Sequence, residues 1–287
     1  MAAAMGKPVL GCDSHVHIIG EANAYPLSPD RHYTPLPASV AQLQAHLDAQ
    51  GLDHAVIIQP SVYGTDNRCL LDALDAMPGR ACAVAVPERD LALTTLQAWD
   101  ARGVRGIRLN LESAGASAPQ ALADELLLWK DRLTALGWHV QIYAPLATVM
   151  AALQITGALP HPVVLDHFAL WDDANSAQPH CRTALQLLAS GQIYIKLSAS
   201  YRLALPAPSL EALVQRWLEL RPDRLLWASD WPHTQREPGR ERLQASAYRR
   251  IAPERLVQER ERLLPTAAQR RQVLVDNPAR LYRFAPG

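Results

Sequence analysis

Two histidines separated by a single residue lie near the beginning of the chain. His15 and His17 belong to the segment DSHVHI, whose composition also predicts a β-strand. An imidazole can bind a metal ion or polarise a carbonyl group near neutral pH. Two imidazoles at the end of one strand therefore predict a site for either chemistry, provided that other strand ends supply partners.

Three later segments supply such partners at the ends of predicted strands. His167 closes PVVLDHF, and Asp230 closes LLWASDW. Lys196 and Ser198 share one face of QIYIKLSAS. Because side chains alternate between the two faces of a strand, we expect His167 to point inward and Asp166 to point outward. Imidazoles and a carboxylate that converge at the mouth of a barrel are typical of an active site.

These residues must be positioned by a regular succession of strands and helices. Short apolar runs alternate with amphipathic stretches such as ASVAQLQAHLDAQG and LEALVQRWLELR, a pattern that predicts βα units. Eight such units indicate a single (β/α)8 barrel of the TIM type, and an open doubly wound sheet is the second candidate. The predicted strands are 9–18, 54–61, 81–87, 103–110, 138–144, 162–168, 192–200 and 223–231.

The fifth predicted strand has one apolar and one polar face. Val140 and Ile142 alternate with His139, Gln141 and Tyr143. The apolar face suits packing against helices, and the polar face suits a barrel interior that opens into an active site. A proline-rich segment, 19–37, follows the first strand and is predicted to be a long loop, either solvated or covering the site.

The composition excludes several classes of protein. The chain has 287 residues with 28 basic and 28 acidic side chains, and 49% of its residues are hydrophobic. This balance argues against intrinsic disorder and offers no electrostatic attraction to nucleic acid or anionic membranes. No apolar run approaches the roughly 18 residues that span a bilayer. We expect one domain over residues 1–287 with neither nucleic-acid nor membrane partners.

The N-terminus and the cysteines favour a cytoplasmic protein. The segment MAAAMGKPVLGCDSH lacks the charged start and the long apolar stretch of a secretion signal. The cysteines lie far apart, with no C-x-x-C pair, which agrees with reduced thiols. They are Cys12, Cys69, Cys82 and Cys181.

Several of these segments together resemble one enzyme family. DSHVHI, LDHF and ASDWPH, at the first, sixth and eighth strands, are similar to the amidohydrolase superfamily. QPSVYGTDN, GVRGIRLN, YIKLSASYR and DNPARLY narrow the resemblance to the lactonase branch that contains the 2-pyrone-4,6-dicarboxylate hydrolases. The resemblance extends from about Val9 to Phe284 and implies a hydrolase that acts on a cyclic ester.

The resemblance also implies roles for individual residues. Asp230 would be the general base that takes a proton from water. His15, His17, His167 and Tyr143 would polarise the lactone carbonyl and stabilise the oxyanion. Arg108 and Arg202 would hold a substrate carboxylate through paired hydrogen bonds, and Ser61 and Tyr33 are similar to further substrate contacts.

Two departures from the family pattern bear on metal and substrate. Metal-rich amidohydrolases often bridge two ions with a lysine or glutamate of a middle strand, whereas this chain has Arg108, Gln141 and Tyr143 there. A binuclear metal centre is therefore not expected. Because a lactone expels an enolate or alkoxide, which is a better leaving group than an amine, and imidazoles, Tyr143 and an arginine can stabilise the oxyanion, we expect hydrolysis without a metal or other cofactor. The dicarboxylate hydrolases carry an arginine shortly after the strand-six histidine, whereas this chain has Leu170 and Trp171. The missing arginine weighs against a dicarboxylate but leaves lactone hydrolysis as the expected reaction class. The resemblance implies a carboxylated lactone such as 2-pyrone-4,6-dicarboxylate as the substrate.

Other interpretations stay open at this point. A zinc-dependent hydrolase, decarboxylase or hydratase of the same superfamily would use His15, His17, His167 and Asp230 as ligands to a single ion. A sugar lactonase would share the base and the oxyanion contacts. A binding protein without catalytic activity on a barrel scaffold is the alternative from another class. The sequence does not say whether the chain forms a homo-oligomer.

Overall fold

A barrel of parallel strands forms the centre of the molecule. The computed structural model describes residues 11–111 and 118–284. Its main sheet has eight strands, and each is hydrogen-bonded in parallel to the strand that follows it in the barrel. The strands are β1 (Cys12–Val16), β2 (His54–Ile58), β3 (Ala81–Ala85), β4 (Val104–Asn110), β5 (His139–Tyr143), β6 (Val163–Leu165), β7 (Ile193–Leu197) and β8 (Leu225–Trp227).

Helices follow the strands and cover the outside of the barrel. They are α1 (Val40–Gln50), α2 (Arg68–Asp75), α3 (Leu93–Arg102), α4 (Pro119–Leu136), α5 (Leu146–Thr156), α6 (Pro179–Ser190), α7 (Ala207–Leu220), α8 (Pro253–Leu263), α9 (Ala267–Arg271) and α10 (Asn277–Tyr282). The predicted (β/α)8 barrel is confirmed, and the open sheet is wrong. Each strand lies within its predicted range, although the predicted start of the first strand, Val9 and Leu10, lies outside the described residues.

The barrel closes between β1 and the segment that follows β8. Val16 forms a parallel bridge with Trp231, and the amide of His17 donates a 2.8 Å hydrogen bond to the Trp231 carbonyl. On the same seam the amide of Asp230 donates a 3.1 Å hydrogen bond to the carbonyl of His15. The closure of the barrel therefore brings both histidines beside the aspartate, although more than 200 residues separate them in sequence.

Two apolar clusters lie on opposite sides of the strands. Val140 and Ile142 of β5 belong to the outer cluster, between the strands and the helices. Val164 and Leu226 belong to the inner cluster, within the barrel. The polar face of β5 points inward, as its alternation predicts, because Gln141 bonds to groups inside the barrel.

The C-terminal segment DNPARLY closes the lower end of the barrel. Tyr282 is fully buried in the inner cluster, and its ring lies 5.4 Å from the His139 ring. The amide of Asn277 donates hydrogen bonds to the carbonyls of Pro222, at 2.8 Å, and Leu225, at 2.7 Å, which anchors α10 at the start of β8. A segment that reads as an isolated motif in the sequence is thus part of the core.

We expect Tyr282→Ala to lower the free energy of unfolding by about 3–5 kcal/mol, because it removes a large ring from a closely packed interior. Among the described residues the Tyr282 hydroxyl has no hydrogen-bond partner, so the loss is one of packing alone. Denaturant unfolding followed by circular dichroism measures the change. Leu243→Ala, at a side chain that is 57% exposed, is the control and should change stability by less than about 0.5 kcal/mol.

The long loop between β1 and α1 packs against a second loop that follows β8. A two-residue strand, Thr34–Pro35, pairs with Ala245–Ser246. The four cysteines are buried and free, as their spacing predicts. Within residues 11–111 and 118–284, no helix is both long enough and apolar enough to cross a membrane.

Candidate active site

A β-bulge in the first strand turns the paired histidines toward the barrel interior. Asp13 pairs with Ala55 of β2, and Val16 pairs with Ile57, so β1 advances three residues where β2 advances two. The extra residue reverses the alternation of side chains, so that Cys12 lies inside the barrel whereas Val16 packs outside it. His15 and His17 consequently both face the interior, where they are buried.

The hydrogen bonds of these two rings fix the direction of their lone pairs. His17 Nδ1 lies 2.8 Å from the carbonyl oxygen of Ile58, which can only accept, so this nitrogen carries the proton. His15 Nδ1 lies 3.2 Å from the Asp166 carboxylate and donates to it. In the neutral rings both Nε2 atoms are therefore acceptors, and they lie 3.3 Å apart.

Asp230 lies beside the two histidines in a constrained backbone conformation. Its φ angle is +64°, in the left-handed region, and the carboxylate is buried. One oxygen, Oδ2, accepts hydrogen bonds from the Tyr201 hydroxyl at 2.7 Å and from Arg202 Nη2 at 2.8 Å. Among the described residues the other oxygen, Oδ1, has no hydrogen-bond partner. Oδ1 lies 3.7 Å from the Nε2 atoms of His15 and His17.

The charge state of Asp230 follows from its neighbours. Burial alone would raise the pKa of this carboxyl, but the Arg202 guanidinium beside it holds its pKa well below the usual range. Asp230 is therefore ionised at neutral pH. Its Oδ1 atom can accept a hydrogen bond from a donor such as water.

His167 approaches the same oxygen from β6. Its φ angle is +52°, and its Nε2 lies 3.9 Å from Asp230 Oδ1. Nδ1 lies 2.9 Å from the Ser198 hydroxyl, as the shared inward direction of these residues predicts. The ring packs edge-on against Tyr143, with 4.9 Å between ring centroids. Burial lowers the pKa of His167 to about 3, so the ring is neutral at neutral pH.

The prediction that Asp166 points outward is wrong. Its carboxylate is buried inside the barrel, where it contacts His15 Nδ1 at 3.2 Å and accepts from Gln141 Nε2 at 3.0 Å. Val163 and Leu165 pack outside the barrel, so regular alternation places Asp166 inside. The positive φ of the next residue, His167, then turns that side chain inward as well.

Two cations lie next to the Asp166 carboxylate. Lys196 Nζ is 3.5 Å from Oδ1 and donates a 2.7 Å hydrogen bond to Gln141 Oε1. Arg108 Nη2 is 3.5 Å from Oδ2. Burial alone would raise the pKa of Asp166, but His15 and Lys196 hold that pKa well below its usual range. Burial lowers the pKa of Lys196 to about 8.

A cavity of about 200 Å³ opens above these groups at the carboxyl ends of the strands. Most of the sequence-predicted site residues line it, whereas His15 lies deeper and is fully buried. The predicted residues that line the cavity are His17, Tyr33, Ser61, Arg108, Tyr143, His167, Arg202 and Asp230. The structure therefore brings these residues together at one barrel mouth, where each lies near or after the carboxyl end of one of seven strands.

Two residues of the site escaped the sequence analysis. Asp166 adjoins His167 in LDHF. Its position as a second ionisable residue at the end of the same strand could have marked it as a candidate site residue. Tyr201 adjoins Arg202 in SASYR, on the short helical turn Ser200–Arg202 after β7. The direction of the Tyr201 side chain could not be predicted from strand alternation, because the strand ends at Leu197.

The donor atoms also permit a test of whether the site fits a metal ion. His15 Nε2, His17 Nε2 and Asp230 Oδ1 all lie within 4.8 Å of one another. Both rings hold their Nδ1 protons on other acceptors, as zinc-binding histidines do, and Oδ1 is a buried oxygen without a hydrogen bond. These donors fit a single divalent ion, with His167 as a fourth neighbour at 3.9 Å from Oδ1.

Comparison with known sequences identifies the family. The amidohydrolase family profile matches residues 12–284. The chain belongs to the amidohydrolase family. It is 32% identical to the 2-pyrone-4,6-dicarboxylate hydrolase of Comamonas testosteroni, over 96% of this chain and 90% of that protein. It is 28% identical to the 4-sulfomuconolactone hydrolase of Hydrogenophaga intermedia, over 94% and 88% of the two chains.

A solved structure of the family has the same fold. The crystal structure of a probable 2-pyrone-4,6-dicarboxylic acid hydrolase from Acinetobacter baumannii, with citric acid bound, is 26% identical to this amidohydrolase and superimposes with a TM-score of 0.79. The match covers 96% of this chain and 100% of that one. Family membership and fold thus agree with the resemblance carried by the histidine, aspartate and C-terminal motifs.

Proposed function

We propose that this amidohydrolase hydrolyses a small lactone that carries an anionic group, with Asp230 as the general base. The observation that carries the proposal is the asymmetric environment of the Asp230 carboxylate. Tyr201 and Arg202 hold Oδ2, whereas Oδ1 lies 3.7 Å from the Nε2 atoms of His15 and His17 and has no hydrogen-bond partner among the described residues. Both hydrolases named above act on lactones, which supports the same reaction class for this chain.

The acceptor atoms around Oδ1 suit a water molecule. In the neutral rings the Nε2 atoms of His15 and His17 are acceptors, as is Asp230 Oδ1, so one water can donate one proton to Oδ1 and the other to one of the two imidazoles. The water oxygen then attacks the lactone carbonyl carbon while its proton passes to Oδ1. This assignment gives His15 and His17 the role of holding water, in place of the carbonyl contact that the family resemblance implies.

The carbonyl oxygen needs hydrogen-bond donors, and other residues supply them. His167 can donate from Nε2 when the Ser198 hydroxyl donates to its Nδ1, and the Tyr143 side chain lines the same cavity. Each donor aimed at the developing oxyanion contributes a few kcal/mol in a water-poor site. The tetrahedral intermediate then breaks the ring C–O bond, and protonated Asp230 returns its proton to the leaving oxygen.

The anionic group of the substrate would contact Arg202 and Arg108. Both guanidinium groups line the cavity, and each has an Nε atom without a hydrogen-bond partner among the described residues. The stretch after β6 where the dicarboxylate hydrolases carry an arginine supplies no cation here, since it holds Leu170 and Trp171, and Trp171 is buried against Trp217 with 5.0 Å between ring centroids. A third lining arginine, Arg236, is exposed, so the buried part of the cavity suits one carboxylate or sulfonate better than two.

We further propose that the reaction needs no metal ion. An ion held by His15, His17 and Asp230 would polarise the carbonyl or lower the pKa of a bound water. The charges already present argue against it, since the buried carboxylates of Asp166 and Asp230 face three cations, Lys196, Arg108 and Arg202. Adding a dication to a buried site with an excess of positive charge would be costly.

The metal proposal predicts that hydrolysis survives exhaustive chelation. Purified protein is assayed against a panel of aromatic-degradation and sugar lactones in a pH-stat, because ring opening releases one proton at neutral pH. The rate after chelation should equal the rate before it. The metal content of the active protein should be well below one ion per chain. Stoichiometric zinc whose removal abolishes turnover, and whose return restores it, would establish the mononuclear zinc alternative instead.

A further inference from the structure

A second cavity lies beside the active site, between the carboxyl ends of β7 and β8 and the start of α8. Its volume is about 380 Å³, against about 200 Å³ for the active-site cavity, and it falls in the size range of small-molecule sites. Tyr201 forms part of its wall, while the Tyr201 hydroxyl bonds to Asp230 on the other side. Gln235 lines both cavities.

The lining of this second cavity combines an apolar floor with a cationic rim. Leu197, Trp227 and Leu256 are buried side chains that supply the floor. The rim carries three arginines and one acidic residue, Glu259. The arginines are Arg249, Arg250 and Arg255.

These three arginines lack the ion pairs that are common elsewhere in the molecule. Within the described part of the chain, no carboxylate lies within 4.0 Å of any of their nitrogen atoms. Arg249 donates a 2.7 Å hydrogen bond to the carbonyl of Thr234. Its guanidinium lies over the Tyr201 ring, with 4.7 Å between Arg249 Cζ and the ring centroid. Arg250 and Arg255 are exposed at the rim. Three unpaired guanidinium groups and one glutamate leave an excess of two positive charges around an apolar floor.

We propose that this second cavity binds a small organic anion with a ring, an aromatic carboxylate, at a site distinct from the active site. The ring would lie on the floor formed by Leu197, Trp227 and Leu256, and the carboxylate would bond to the guanidinium groups at the rim. An occupant would contact the Tyr201 ring, whose hydroxyl holds the proposed base. The inference does not depend on which lactone is hydrolysed.

Isothermal titration calorimetry with benzoate as the probe tests the proposal. Wild-type protein should bind benzoate saturably. Arg250→Gln combined with Arg255→Gln should weaken this binding at least tenfold, because charge-assisted hydrogen bonds are lost. Glu259→Gln should tighten it severalfold, because a like charge is removed from the rim. All of these positions lie outside the proposed catalytic residues, so lactone turnover without benzoate should be unchanged in the variants.

Two further variants separate this cavity from other sources of binding. Arg108→Met removes an arginine of the active-site cavity and should leave benzoate affinity unchanged. Arg240→Gln changes an exposed arginine paired with Glu237 and should also have no effect. The proposal is overturned if benzoate shows no saturable binding in the millimolar range. It is equally overturned if Arg108→Met abolishes binding while the rim variants and Glu259→Gln leave it unchanged.

Discussion

Asp230→Asn should abolish lactone hydrolysis while leaving the fold intact. The amide has the shape of the carboxylate and still accepts a hydrogen bond, but it cannot take a proton from water. Loss of a general base lowers the rate by about 10²–10⁴-fold. The loss should fall on kcat, because the residues that contact the substrate's anionic group are unchanged. Steady-state kinetics of the purified variant on the best lactone of the panel measures it.

The structure supplies a check that the Asp230→Asn variant is folded. The backbone amide of residue 230 donates to the carbonyl of His15, a contact that the substitution does not touch. Circular dichroism and the thermal midpoint should therefore stay close to those of the parent. Asp48→Asn, at an exposed position of α1, is the matched control and should retain full activity. Turnover near the parental rate in Asp230→Asn would remove this residue from the role of base.

Replacing Arg108 or Arg202 of the active-site cavity should change the preference between charged and uncharged lactones. Arg108→Met should reduce kcat/KM for an anionic lactone far more than for an uncharged lactone with the same ring. A charge-assisted hydrogen bond contributes roughly 1.5–3 kcal/mol, which corresponds to about tenfold or more in kcat/KM. Competition between the two lactones, followed by chromatography, measures the ratio directly.

Arg202 should show a compound effect, because it touches both the cavity and the base. Its Nη2 atom donates to Asp230 Oδ2, so Arg202→Met removes one of the two hydrogen bonds that Oδ2 accepts from the described residues. We expect turnover of both lactones to fall in this variant, with a further loss for the anionic one. Equal losses for the two lactones in both Arg108→Met and Arg202→Met would contradict the proposed contact with an anionic group.

Much of the fold could be predicted from the periodicity of apolar residues along the sequence. The alternation of short apolar runs with amphipathic stretches predicted eight βα units, and all eight strands lie within the predicted ranges. The two-residue period of β5 also predicted the inward direction of Gln141 and Tyr143, because alternation is a property of the local backbone. Each strand is shorter than predicted, and β2, for example, ends at Ile58 although its predicted range runs to residue 61.

Local pattern failed where the backbone departs from regular alternation. The β-bulge between Asp13 and Val16 and the positive φ angles of His167 and Asp230 all change the direction of a side chain. None of these departures has a glycine or a turn motif to mark it. The outward prediction for Asp166 failed for this reason, and the contacts of Tyr201 were invisible beyond the end of β7.

The sequence by itself determined the fold class, the identity of the residues at the barrel mouth and the resemblance to the amidohydrolases. These depend on residue type and on spacing along the chain. Only the tertiary structure decided which atoms face one another. Closure of the barrel sets the His15 and His17 Nε2 atoms beside Asp230 Oδ1, and Tyr201 and Arg202 occupy Oδ2. Such relations depend on hydrogen bonds between residues far apart in the chain, which no local pattern encodes.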